Sequence, residues 1–255
     1  MNAPYTPGAG LVSRLNRRWA RLAARAPMSV ELDHAIVSFT FDDFPKSAAV
    51  EGAELLEARG WRGTYYAAAG YAGQETHHGA MFDADDLQRL VAKGHEIGCH
   101  THSHLDGSSV APAEMLADIE RNEAALRALG YDGPLDSFAY PYGEVKPATK
   151  RLLANRFSSL RGVQAAINRG RCDRSLLKSV PIDGGEPGIA RAVEAAHALT
   201  QDPGWLIFYI HDVQDTPTPW GCTPAQLRRV CDAVEESGAR VLTVAAALTE
   251  LEHAE

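Results

Sequence analysis

Past residue 33 the chain alternates short, almost wholly apolar runs with longer stretches of helical period. The runs HAIVSFTF (34–41), GTYYAAA (63–69), HEIGCH (95–100), DSFAY (136–140) and WLIFYIH (205–211) predict strands, with FSSLRG (157–162), SLLKSVPI (175–182) and ARVLTV (239–244) as weaker ones. Between them the spacing predicts helices over 46–59, ended by Gly60, and over 84–93, capped by Asp83. Further helices are expected over 111–129, 147–155, 189–199 and 224–236, the last capped by Thr223, with a short one at the C-terminus. In 111–129 the apolar spacing is carried by Leu116, Ile119, Ala124 and Leu126.

Strand followed by helix, repeated so often, implies a parallel sheet buried on both faces, as a closed barrel or an open doubly wound sheet. With no internal repeat or linker past residue 33, residues 34–255 read as one domain behind an N-terminal extension, residues 1–33. Within that extension Leu11, Leu15, Trp19, Leu22 and Ala26 share one helical face, and Arg14, Arg17, Arg18, Arg21 and Arg25 supply charge. Such a helix, over 11–26, can lie on an anionic membrane surface or dock on the body of the protein or a second subunit in a homo-oligomer. Docking is the expectation that asks for less.

Composition narrows the partners. A net charge of −8 argues against nucleic acid, which needs a clustered basic face. Cys99, Cys172, Cys222 and Cys231 show no zinc-knuckle or redox-dithiol spacing and read as reduced thiols. No signal-peptide pattern and no apolar stretch of spanning length is present, so the expected location is the cytoplasm, with contact at the inner membrane face through residues 11–26.

The polar oddities sort onto one face. Asp42 and Asp43 end the first strand, HTHSH follows the third, AYPYGE follows the fourth, and His211 ends WLIFYIH. All are C-terminal strand ends, where barrel enzymes assemble active sites. A single Asp there would read as a helix cap; two in succession suit one metal ligand and one base. The stretch GHEIGCHTHSHLDG holds four of the ten histidines. His100 with His104, or His100 with His102, can converge on one ion, and two imidazoles with a carboxylate make a catalytic zinc set. His95 lies at the opposite strand end and reads as structural, and His77 and His78, in the loop QETHHGAM, read as solvated loop residues ahead of the alternative that they border the substrate groove.

TFDD, HTHSH, FAYPYG and FYIHD, in this order and spacing, resemble the motifs of the polysaccharide deacetylases of carbohydrate esterase family 4, the NodB-homology group, over residues 34 to 250. The resemblance implies a distorted (β/α)7-type barrel and metal-dependent hydrolysis of N-acetyl groups on hexosamine units of the N-acetylglucosamine type. It implies Asp42 as base, Asp43, His100 and His104 as metal ligands, His211 as acid, and the Tyr142 backbone N–H as an oxyanion donor. Tyr140 and Pro141, in the same turn, are expected beside the substrate. Zinc is the default metal, and Co²⁺, Ni²⁺ or Fe²⁺ suit the same ligands. The setting implied is a polysaccharide or its lipid-linked precursor in exopolysaccharide or adhesin biosynthesis. The alternatives are an amidohydrolase of small molecules or chito-oligosaccharides, and an inactive sugar-binding homologue. There are two departures. Many relatives carry an Arg where this chain has Ala139, so Arg174 or Lys178 is expected to reach Asp42 instead. No clear Asp supports the acid histidine, with Asp183 the nearest candidate.

Overall fold

A computed structural model describes residues 18–254. Its elements follow the predicted order. Strand β1 (Pro27–Val30) precedes β2 (Ile36–Asp43), after which a helical turn, Ala48–Gly52, continues as α1 (Ala53–Glu57). Then come β3 (Thr64–Ala67), a hairpin of β4 (Glu75–Thr76) and β5 (Gly79–Ala80), α2 (Ala84–Ala92), β6 (Glu96–Cys99) and α3 (Pro112–Ala128). The next are β7 (Ser137–Ala139), α4 (Pro147–Ala154), β8 (Ser159–Arg161), β9 (Gly170–Asp173), β10 (Val180–Pro181) and α5 (Gly185–His197). Last are β11 (Trp205–Ile210), α6 (Pro224–Ser237), β12 (Arg240–Val241) and α7 (Val244–Ala254).

Eight strands form one wholly parallel sheet, ordered β10-β11-β2-β3-β6-β7-β8, with β12 beside the start of β2. Every residue of β2 is buried, as a central strand covered on both faces requires. The curved sheet closes loosely: Arg161 at one edge bridges Leu177, just before β10 at the other, and the Gly162 N–H donates to the Leu177 carbonyl. This is the expected distorted barrel. The caps foreseen at Asp83 and Thr223 both form reciprocal capping boxes, with Asp86 and Gln226. All four cysteines are free and buried.

Two differences concern the periphery. Within the residues read as an extension, β1 pairs antiparallel with β9, and Val30 lies in a core cluster with Trp205 and Ile207. Neither this ribbon nor the β4–β5 hairpin is long enough to leave a period-2 signal. Of the helix expected over 11–26, residues 18–22 are helical, while residues 11–17 lie outside the described residues. Ala20 is buried against the body, and the buried Lys150 donates to the carbonyls of Ala20 and Ala23 and to Asp173. Trp19 and Leu22, however, are 63% and 66% exposed, so this part of the predicted apolar face does not dock on the body. Among the described residues, no helix is long and apolar enough to cross a membrane.

Candidate active site

The strand ends converge. Asp42 and Asp43 close β2 and are both buried. Around them the backbone turns sharply: Asp43, Phe44, Thr101, His104 and Tyr142 all hold positive φ, between 52° and 66°. Left-handed backbone is costly for non-glycine residues and collects where the surroundings enforce it. Among the described non-glycine residues only Ala24 joins these five.

Both Asp42 oxygens accept hydrogen bonds from the Arg161 Nη2. Arg161 is fully buried, and its guanidinium lies between the rings of Tyr66 and Tyr209, 5.3 and 5.1 Å from their centroids. Gly98 makes room for this stack, because a Cβ there would stand 2.5 Å from the Tyr66 ring. Burial alone would raise the Asp42 pKa, but Arg161, then His100 and His211, outweigh it and hold the carboxyl below its usual range. Asp42 is therefore a carboxylate at neutral pH. Arg161 corrects the expectation of Arg174 or Lys178: the Arg174 side chain is spent on the carbonyls of Phe157 and Ser158. The signal was present, since Arg161 lies near the C-terminal end of the FSSLRG run and closes β8.

Asp43 faces the histidines. Its Oδ1 stands 3.2 Å from His104 Nε2 and 3.6 Å from His100 Nε2, and the ligand atoms of this trio all lie within 4.8 Å of one another. Donors about 2.0–2.1 Å from a tetrahedral zinc stand about 3.3 Å apart. Oδ1 is buried and accepts no hydrogen bond, an orphaned acceptor that a cation would satisfy. Burial drives the His104 pKa down to about 4 against the opposing pull of Asp43, leaving a neutral imidazole free to ligate. The His100 Nδ1 lies 2.8 Å from the Ala139 carbonyl, which turns Nε2 inward. The residues present fit a divalent metal, with His100 and His104 as the pair.

Helix α3 fixes the histidine loop. The buried Asp118 accepts from the backbone N–H groups of His102 and Ser103 and from the Ser103 hydroxyl. One turn on, Asn122 donates to the Ala67 carbonyl and accepts from the Ala69 N–H. His102 is thereby a spacer. Sequence periodicity missed this, because the helix buries Met115, Asp118, Ile119, Asn122 and Leu126, two of them polar.

Tyr142 stands with its ring centroid 4.4 Å from that of His104. Tyr140 and Pro141 are both buried, and the Tyr140 ring packs in a core cluster with Phe138 while its hydroxyl donates to the Ser175 carbonyl. His95 is structural as expected, with Nδ1 taking the Gly63 N–H and Nε2 beside Glu57. His211 keeps its Nδ1 3.3 Å from the Trp220 carbonyl, and burial lowers its pKa although Asp42 opposes this. Asp183 makes no hydrogen bond or ion pair to His211 among the described residues. The carboxylate backing an imidazole is Asp212, and that imidazole is His78.

His78 is the largest surprise. Read as a solvated loop residue, it is 3% exposed, with Nδ1 3.2 Å from Asp212, Nε2 3.6 Å from Asp43 Oδ2, and its ring stacked on His211 at 4.9 Å. His77, beside it, is exposed. Only the tertiary fold brings the β4–β5 hairpin over the strand ends, so no spacing within QETHHGAM could reveal it.

A strand-end pocket with a clamped aspartate beside an Asp-His-His trio is the architecture of a hydrolase-type barrel, and comparison with known proteins names it. The sequence profile of the polysaccharide deacetylase family matches residues 29–157, and the chain belongs to that family. A chitin deacetylase of Arthroderma benhamiae is 22% identical over 210 residues, covering 82% of this chain and 50% of the relative. The chain spans half or less of the length of the curated relatives it matches. The structure of a chitin deacetylase from the fungal pathogen Colletotrichum lindemuthianum superposes with TM-score 0.61 at 19% identity, covering 85% of this chain and 88% of that one. A family 4 pseudoenzyme from Bacillus anthracis superposes equally well, with TM-score 0.61 at 13% identity over 88% of this chain and 69% of that one. At these identities the likeness establishes the fold, and activity must be argued from the site.

Proposed function

We propose that this chain is a metal-dependent N-deacetylase that hydrolyses the N-acetyl amide of hexosamine units, of the N-acetylglucosamine type, in a polysaccharide or its lipid-linked precursor. The carrying observation is the orphaned Asp43 oxygen between His100 and His104, set beside an Asp42 held ionised by Arg161. A divalent cation held by Asp43, His100 and His104 would polarise the acyl oxygen and lower the pKa of a bound water. Asp42 takes the proton of the water attacking the acetamide carbon. The family resemblance gives the Tyr142 backbone N–H the part of oxyanion donor. His211 gives the departing nitrogen its proton, without which an amine leaves poorly. An inactive sugar-binding homologue would need neither the clamp on Asp42 nor the imidazole opposite it.

Incubation of the zinc-reconstituted protein with N-acetylglucosamine oligomers of increasing length tests this. Acetate release that rises with chain length is expected; no acetate from any oligomer would overturn the reading, and turnover of small amides alone would favour the amidohydrolase alternative.

The location follows as part of the same proposal. Outward-facing Trp19 and Leu22 beside exposed Arg18, Arg21 and Arg25 support contact with an anionic membrane surface, and four free thiols suit the cytoplasmic side. An enzyme so placed meets precursors in exopolysaccharide or adhesin biosynthesis. Vesicles containing an anionic lipid should retain the wild-type protein and release a Trp19→Ser/Leu22→Ser variant; equal retention would remove the membrane contact.

A further inference from the structure

We infer that the pocket contains a second, weaker divalent-cation site, formed by Asp43, His78 and His211, whose occupation switches the enzyme off. The inference rests on the first metal site proposed above. Asp43 turns its two oxygens to opposite sides: Oδ1 toward His100 and His104, Oδ2 toward His78 Nε2 at 3.6 Å. One ligand atom each from Asp43, His78 and His211 lies within 4.8 Å of the other two, so the carboxylate is shared by two trios.

The two imidazoles of the second trio are built as ligands. His78 Nδ1 is held by the fully buried Asp212 at 3.2 Å and lies 3.3 Å from the Thr218 hydroxyl. Asp212 is itself fixed by the Thr218 N–H and the Gln214 side-chain amide, each at 2.8 Å. A carboxylate behind one ring nitrogen, with the other facing a pocket, is the usual support of a metal-binding histidine. His211 is oriented in the same sense, its Nδ1 toward the Trp220 carbonyl. A solvated or merely structural loop histidine has no use for so much support.

Charge ranks the sites. Imidazoles that ligate a metal do so without their ring proton, so in the metal-bound pocket the protein charges that count are Asp42, balanced by Arg161, and the carboxylates of Asp43 and Asp212. One divalent cation neutralises the pocket, and a second makes it positive while sharing a carboxylate already engaged. The second ion therefore binds more weakly. Its cost to turnover is direct, because coordination takes the lone pair by which His211 carries the proton for the leaving amine.

Zinc chloride is titrated into the metal-free full-length protein by equilibrium dialysis, with bound metal counted by mass spectrometry. Two equivalents are expected, the second at least tenfold weaker, and His78→Asn should remove the second alone. Turnover of each protein, relative to its own maximum, should fall at excess zinc in the wild type and not in His78→Asn. One equivalent in the wild type, or two retained in His78→Asn, would overturn the second site while leaving the first; no bound zinc would overturn the first site as well. Should His78→Asn not fold, electron paramagnetic resonance of the Cu²⁺-loaded wild type decides. Ions bridged by Asp43 lie about 4 Å apart and give a spin-coupled spectrum at the second equivalent, whereas a spectrum of isolated ions refutes the shared carboxylate.

Discussion

Ala139 and Arg161 are register partners on the adjacent parallel strands β7 and β8, and it is Arg161 that delivers a guanidinium to Asp42. The family resemblance places an arginine at position 139. Here its charge comes from the neighbouring strand, at the same height along the barrel axis, and reaches the same carboxylate. The departure at Ala139 is thus a displacement of the guanidinium by one strand rather than its loss.

Removing Arg161 should unsettle the fold as well as the chemistry. Arg161→Met leaves a buried carboxylate without its partner, which costs about 3–5 kcal/mol. The double variant Asp42→Asn/Arg161→Met removes both charges and should recover much of that loss. Urea unfolding of the metal-free proteins gives the comparison; equal losses in the single and double variants would show that Arg161 stabilises by packing between Tyr66 and Tyr209 instead.

The two adjacent aspartates should separate cleanly. Asp42→Asn is expected to keep metal and slow turnover by about 10²–10⁴, whereas Asp43→Ala should lose metal and activity together. Metal content by mass spectrometry beside acetate release reads both. A metal-free Asp42→Asn protein, or a metal-replete Asp43→Ala one, would reverse the assignment.

What the sequence revealed, and what it hid, divides by distance along the chain. Asp42 with Asp43, and His100 with His102 and His104, stand within a few residues of each other, so spacing alone exposes the cluster, and the family resemblance then singles out His104. Strand ends were legible because a parallel strand buried on both faces is an apolar run whose last residue is where polarity resumes. The supporting residues were hidden because each acts on a group far away in sequence. Arg161 grips a residue 119 positions earlier, and His78 meets a carboxylate 134 positions later. Asp118 sat at a helix position where an acidic residue normally reads as solvent-facing, yet it is fully buried. Burial was hidden at Tyr140 too, since an aromatic in a motif turn reads as a substrate platform and this ring lies in a core cluster.

Asp118 should matter through the loop it holds. Asp118→Ala frees the N–H groups of His102 and Ser103 and releases the turn that presents His104. Loss of such support for metal ligands costs about 10- to 100-fold in affinity. Zinc titration against a competing chelator should show that weakening with the helical signal in circular dichroism unchanged; unaltered affinity would mean the left-handed turn at Thr101 and His104 holds by itself.

Acid should loosen the N-terminal attachment in a defined window. Burial would raise the Asp173 pKa, but hydrogen bonds from Lys150, Ser175 and the Ala26 N–H outweigh it, so its folded value lies below the ordinary 3.8. A depressed carboxyl stabilises the fold above the unfolded value and loses that contribution as pH falls through the folded one. The stability gap between wild type and Asp173→Asn should therefore be full at pH 5 and shrink below pH 3.8. Urea midpoints across that range measure it, and a gap independent of pH would assign the attachment to Ala20 packing.

The strongest test of the displaced arginine is to move it back. Arg161→Ala should cost activity and leave space between Tyr66 and Tyr209, and Ala139→Arg in that background returns a guanidinium from the strand alongside. Because Ala139 and Arg161 are paired in register, the reinstated side chain starts at the same depth in the barrel and needs only to cross one strand spacing, about 4.8 Å. The Ala139 carbonyl that steers His100 belongs to the backbone and survives the exchange. The double variant should regain at least tenfold over Arg161→Ala in kcat/KM, whereas Ala139→Arg alone, with Arg161 in place, should lose stability through overpacking of a fully buried site. If the double variant is no more active than Arg161→Ala, the two positions are not interchangeable, and Arg161 must serve Asp42 through its aromatic stack as much as through its charge.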